Sequence, residues 1–417
     1  MDRDAITREL VAEICNADSV AEVMAVYGQC WPLISDYKFV FAAEKGASLG
    51  FAVNRAFGAG AAVRSVFSSE RVFVLDPDTF SEMKARQGPV SYPVDFSISL
   101  DTQAMSYLEP YIKGLPNNKI PDDFKEVFEF IARDEVNVDP LPYINENRFN
   151  LGDAKAADRI FAKLKAYETL RTLDKEWLKV NGQARSVLTA GELDSRALKL
   201  ISDMYEERHN HAALDGLRTR HQYMYICLMK MALIQLYSAG RSVTEKVIDF
   251  LAFCDGELAT IFARETVIAR AYFERGQDLS FFGKIQKGRN DLPKQLSNMA
   301  WDLLHIRHLE EAMTLNINRE ARYFFTAFLT FDKRLIEIMD LYPLRSLGYK
   351  AGGGELLPVY QGDWFEAVVS SDRSAEVRER FYSHEARASR NTRRDAAKAS
   401  LLHIATGLEA ELAAVRG

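Results

Sequence analysis

The sequence predicts an α/β protein with a large all-helical part, on three observations. Short apolar runs end in an aspartate followed by a helix-compatible stretch, at RVFVLDPDTF, VDFSISLDTQAMSYL and FFTAFLTFDKRLIEI. Long segments between about 105 and 290 repeat apolar residues at helical spacing. The last 45 or so residues are again helical and include the basic stretch HEARASRNTRRDAAKAS.

Taken in order, residues 1–35 read as one or two short amphipathic helices, with Asp18 and Ser19 placed to cap VAEVMAVYGQCW. KGASLGFAVNRAFGAGAA follows, with Gly46, Gly50, Gly58 and Gly60. It lacks the GK[ST] ending of a phosphate loop and reads as a connector. The runs ending at Asp76 and Asp101 are strands. DDFKEVFEFIARDE, AADRIFAKLKAYETLRTLDKEWLKV, SRALKLISDMYEERHN, RTRHQYMYICLMKMALIQLYSAG and SVTEKVIDFLAFCDGELATIFARETVIARAYFERG are helices, with Gly240 and Gly276 at their expected ends. KQLSNMAWDLLHIRHLEEAM is a helix carrying Asp302, FFTAFLTF a strand running into Asp332, and AGGGELLP a loop.

Composition narrows the function classes. With 417 residues, 47% hydrophobic and 27% charged, the chain can bury two or three ordinary cores. Its net charge of -6 excludes a basic nucleic-acid coat but leaves room for a local basic path. Cys15, Cys30, Cys227 and Cys254 form no CxxC pair, so buried thiols are expected rather than a zinc ribbon or disulfide framework. The acid-bearing N-terminus and the lack of a long unbroken apolar run make the expected location cytoplasmic, with no membrane partner.

The chemistry is expected at the strand ends. In an open parallel sheet, ligands bind beyond the carboxyl ends of the strands, where acids from separate strands meet. Such acids repel one another unless a cation neutralises them, and hard oxygen donors favour Mg²⁺ or Mn²⁺ over zinc. Each candidate also has a plain structural reading. Asp76 stands before Pro77 and can open a turn, while Asp101 and Asp332 can cap helices. His209, His211 and His221 lack the spacing of an HExxH site and read as solvated helix residues.

SISLDTQAMSYL resembles the opening of PIN-domain nucleases, in which a hydrophobic strand ends in Asp and a small polar residue. NMAWDLLHIRHLEEA resembles the helix presenting that family's third acid. FFTAFLTFDKRLIEI is similar to its closing strand, through Thr330, Asp332 and Leu335. The resemblance implies a PIN-like parallel sheet flanked by helices, with Asp101, Glu265, Asp302 and Asp332 as metal ligands and catalytic acids. Glu265 is chosen for the helix acid, with Glu146 and Glu257 as alternatives. Asp101 and Glu265 are 164 positions apart, which implies a helical insertion within the nuclease.

The implied organisation is a helical segment and connector at 1–70, a discontinuous nuclease domain at 71–110 and 255–350, a helical insertion at 111–254 and a helical C-terminal segment at 351–417. Lys333 and Arg334 beside Asp332, with Arg393 and Arg394 in the basic helix, are the expected substrate-binding residues. The implied activity is metal-dependent endonucleolytic cleavage of RNA, in the setting of a toxin or phage-defence effector. A homo-oligomer or a regulatory protein partner stays open. The alternatives are a helical interaction or sensor protein with a degenerate nuclease fold, and a DNA-directed nuclease of the flap-endonuclease type.

Overall fold

The computed structural model describes residues 3–49, 54–115, 120–238, 240–286, 289–315 and 317–414. The chain divides into two compact units. The first comprises Met1–Asn210, Ile306–Ile336 and Pro343–Tyr360, and the second His211–His305, Glu337–Tyr342 and Gln361–Gly417.

The first unit opens with α1 (Arg3–Asn16) and α2 (Val20–Cys30), the latter capped by Ser19 as its sequence suggests. Then come β1 (Tyr37–Ser48), β2 (Asn54–Ala56), β3 (Ala62–Ser65), β4 (Arg71–Leu75), α3 (Pro77–Arg86), β5 (Val94–Leu100), α4 (Thr102–Ile112), α5 (Phe124–Ile131), β6 (Val138–Asp139), α6 (Leu141–Asn147), α7 (Ala154–Arg171), α8 (Lys175–Asn181) and α9 (Ala190–His209). In the second unit, α10 (His211–Tyr237), α11 (Val243–Gly256) and α12 (Ala263–Arg275) follow. The chain then runs through α13 (Leu292–Ala312), β7 (Tyr323–Thr330), α14 (Lys333–Leu341), β8 (Leu344–Lys350) and β9 (Leu356–Tyr360), with α13 and α14 each divided between the units. It ends in α15 (Trp364–Val368), α16 (Ser374–Tyr382) and α17 (His384–Ala414).

Two sheets build the first unit. One is antiparallel, in the order β4-β1-β8-β9. Phe39 and Phe41 of β1 bury one face of it against Val11, Ile14 and Cys15 of α1 and Tyr27 of α2. The other has the order β2-β3-β7-β5-β6, with β7, β5 and β6 parallel and β2 and β3 antiparallel. β5 and β7 pair from Val94 with Tyr323 to Leu100 with Leu329, so Asp101, the first residue after β5, stands beside Thr330, the last residue of β7.

Alternation along β5 sorts its two faces. Ile98 and Leu100, with Ala327 and Leu329 of β7, join the core made by α4, α5 and α7, where Met105, Phe128, Ile160 and Leu164 are buried. Ser97 and Ser99 point the other way, and both hydroxyls donate to the carboxylate of Asp139 at the end of β6.

In the second unit α17 carries a buried stripe of Ala397, Leu401, Ala405, Leu408 and Leu412, at the spacing of one helix face. α10 buries Cys227, Leu228, Met231 and Ala232, and its Tyr225 hydroxyl donates to Glu409 of α17 at 2.8 Å. All four cysteines are free and buried. Among the described residues, no helix is long and apolar enough to cross a membrane.

The architecture is mixed α/β, and several local expectations change. The expected connector at 45–62 carries the end of β1, all of β2 and the hairpin into β3; Gly50 lies outside the described residues. The loop expected at 351–358 gives way to β9 from Leu356, reached by a turn in which Gly352, Gly353 and Gly354 all have positive φ. Residues 255–305, expected to join 71–110 in one nuclease domain, belong to the second unit. Residues 111–210, expected in the insertion, belong to the first.

Candidate active site at the strand ends

The site centres on Asp101, the first residue after β5. Its Oδ1 accepts the backbone N–H of Ala104 at 2.5 Å, so it caps α4. The Thr330 hydroxyl also donates to this carboxylate. An ordinary N-cap is solvated and acidic, whereas Asp101 is 8% exposed and Thr330 is fully buried. Burial pushes the Asp101 carboxyl up to about 7, against the lowering effect of Ala104 and Thr330. The negative charge of Glu146 adds to the rise.

Glu146 lies in α6, between the buried Asn145 and Arg148. It was an alternative to Glu265 on sequence grounds, and it is the one that shares a compact unit with Asp101. Lys163 of α7 also belongs to this neighbourhood: its ammonium donates to Ser106 of α4 at 2.7 Å.

The end of β7 is fixed by packing. The Phe331 ring meets Tyr107 at 5.1 Å and Phe124 at 5.7 Å between ring centroids, which sets the chain direction between Thr330 and Asp332. The backbone N–H of Asp332 donates to the Thr330 hydroxyl at 3.0 Å. The Asp332 carboxylate accepts from the backbone N–H of Arg334 at 2.9 Å and from its guanidinium at 2.8 and 2.6 Å. Arg334, expected to hold substrate, is therefore paired with the acid beside it.

Lys333 is exposed and lies along the turn between β2 and β3, next to Gly60. Asp123 holds that turn in place by accepting the N–H groups of Ala59 and Ala61 at 2.9 and 3.0 Å. Nothing in DDFKEVF marks this Asp as different from an ordinary helix-starting acid, so its role was invisible until the turn was placed beside it.

The other expected residues occupy the second unit. Glu265, in the first turn of α12, is fully buried with Arg264 and Thr266, not solvated as a helix glutamate usually is. Asp302 is half-buried on α13 beside Trp301, whose ring lies 4.5 Å from His221 and 5.9 Å from His305. Arg393 donates to the backbone carbonyls of Asp255 and Gly256 at 2.8 and 2.9 Å and so closes the end of α11. Arg394 is exposed and donates to Asn391. Asp76, the remaining strand-end acid, follows β4 of the antiparallel sheet and caps α3 through Thr79, while Tyr323 donates to it at 2.8 Å. It takes no place at the parallel strand ends.

Asp101, Glu146 and the Thr330 hydroxyl are hard oxygen donors. They suit Mg²⁺ or Mn²⁺, which one or two carboxylates can hold together with water and substrate phosphate. Among the described residues no group of three His, Cys, Asp or Glu side chains is placed to hold a metal ion. Compared with models of protein families, with curated proteins and with solved structures, the chain finds no match.

Proposed function

We propose that the first unit is a metal-dependent phosphodiesterase acting on RNA, with Asp101 at its centre and Glu146 in the role first given to Glu265. The observation that carries this reading is a buried carboxyl, raised to about 7, at the ends of two paired parallel strands. Perturbed acids cluster at functional sites, and the carboxyl ends of the strands are where open α/β sheets bind ligands.

When bound, Mg²⁺ or Mn²⁺ supplies charge to the scissile phosphate and acidity to the attacking water. Asp101 and Glu146 are the carboxylates that would hold it. Ala104 and Thr330 fix the Asp101 carboxylate, and Phe331, wedged between Tyr107 and Phe124, keeps the end of β7 rigid. Asp332 holds the Arg334 charge at the strand end, and Lys333 meets the phosphate backbone. The choice of RNA rests on the PIN resemblance of VDFSISLDT and FFTAFLTFDKR.

A second reading has its own observation. Asp76, Asp101 and Asp332 each bond a backbone N–H of the helix that follows, as a degenerate site retained for its fold would do. One experiment separates the two: end-labelled single-stranded RNA and DNA incubated with wild type and Asp101→Asn, in Mn²⁺ and in EDTA. The phosphodiesterase reading expects RNA cutting that needs the metal and is lost in the variant. An absence of cutting, with no rise in melting temperature on adding Mn²⁺, supports the interaction protein.

A further inference from the structure

Lys333 lies beside the β2–β3 turn, Arg334 is paired with Asp332, and Arg393 is spent on the end of α11, so none of them supplies a cation on the α4, α6 and α7 side of Asp101. Lys163 fits that role. Its ammonium is half-buried, 5.3 Å from the centroid of the Tyr143 ring, and Tyr143 shares α6 with Glu146. Its hydrogen bond goes to Ser106, on the helix that Asp101 caps. Ser106 passes its own hydrogen to the Thr102 carbonyl at 2.6 Å, so it receives the ammonium and is not poised as a nucleophile.

Lys163 forms no salt bridge among the described residues. An ammonium has three donors, and Ser106 takes one, so two remain for a ligand. Burial, with the positive charge of Arg159, holds Lys163 below the usual lysine range, against the raising effect of Glu109 and Glu146. A desolvated cation answered by a hydroxyl gains from the arrival of a true anion.

We propose that Lys163 is a second phosphate-holding cation of the strand-end site, besides Lys333, binding a non-bridging oxygen of the RNA backbone beside Asp101 and Glu146. The inference rests on the phosphodiesterase reading and names a residue that reading did not contain. Lys163→Gln removes the charge but keeps a donor for Ser106, and Lys163→Arg keeps the charge.

The full-length variants are compared in two assays: cleavage of labelled single-stranded RNA in Mn²⁺, and binding of the same RNA in EDTA across a salt series. Lys163→Gln should cut about a hundredfold more slowly. Its plot of log affinity against log salt should flatten by about 0.7, the value of one lost single-strand phosphate contact. Lys163→Arg should recover most of both. A merely structural lysine would not change the salt slope. If Lys163→Gln keeps the wild-type slope and rate while Asp101→Asn is dead, the inference falls and the phosphodiesterase reading stands. If wild type neither cuts nor binds RNA, both fall.

Discussion

Arg334 grips Asp332 with both ends of its guanidinium, Nε to Oδ1 at 2.8 Å and Nη2 to Oδ2 at 2.6 Å, while its own backbone N–H bonds the same Oδ1. One aspartate thus starts α14 and pairs with the third residue of the Asp-Lys-Arg run. The two roles separate on substitution. Asp332→Asn keeps an acceptor for the backbone N–H but removes the charge. Because both side chains are partly exposed, the lost pair should cost about 1 kcal/mol or less. A melting temperature within a few degrees of wild type, together with loss of Mn²⁺-dependent RNA cleavage, is expected. A folded variant cutting at the wild-type rate would remove Asp332 from the site.

Asp101 yields a pH prediction with a definite sign. Its carboxyl is raised from 3.8 to about 7 on folding, chiefly by burial, so the folded state holds the proton where the unfolded chain has released it. Stability from this group is present below pH 4 and is lost as the pH rises towards 7. The full penalty is on the order of 4 kcal/mol. Asn caps a helix as well as Asp does and carries no charge. Asp101→Asn should therefore match wild type in urea unfolding near pH 4 and be the more stable protein at pH 8. Equal gaps at both pH values would show that the Asp101 proton is not coupled to folding.

These residues show what the sequence made legible. The runs VDFSISL and YFFTAFLT announce strands because β-branched and aromatic residues stop abruptly at a polar one, and α4 and α14 begin where Asp101 and Asp332 suggest. The antiparallel sheet was hidden because β1 pairs with β8, residues more than 300 positions away, and a glycine-rich stretch masked the end of β1. The helix acid was ambiguous for a similar reason. Periodicity places Glu265 on a helix but carries no information on which compact unit that helix joins, and the short α6 that holds Glu146 had no periodic signal. Lys163 had no signal at all, since AADRIFAKLKAYETLR reads as an ordinary amphipathic helix.

Gly60 tests how the turn beside Lys333 is held. Its φ of +116° lies where a side chain is strained, and an added Cβ would stand 1.8 Å from Lys333 Cε. The lysine end can swing away, so the backbone term dominates. Gly60→Ala should destabilise the protein by about 1–3 kcal/mol. Combining it with Lys333→Ala should restore little of that loss in chemical unfolding. Full restoration by the second substitution would locate the cost in the side-chain clash instead.

Arg393 separates a basic helix that reads phosphate from one that finishes a fold. Its guanidinium bonds the carbonyls of Asp255 and Gly256, the last residues of α11, where helix carbonyls lack partners and favour a cation. The neighbouring Arg390 is buried and bonds both the Asp255 carboxylate and the Phe381 carbonyl, which gathers α11, α16 and α17 around one acid. Removing Arg393 therefore strips carbonyl partners rather than a free charge. Arg393→Ala should lower stability by about 1–2 kcal/mol, whereas Arg394→Ala, which loses only a contact with Asn391 on its own helix, should be nearly neutral. RNA affinity measured across a salt series should keep its wild-type slope in Arg393→Ala. A flatter slope with unchanged stability would return the basic helix to the substrate path, because only a lost phosphate contact alters counterion release.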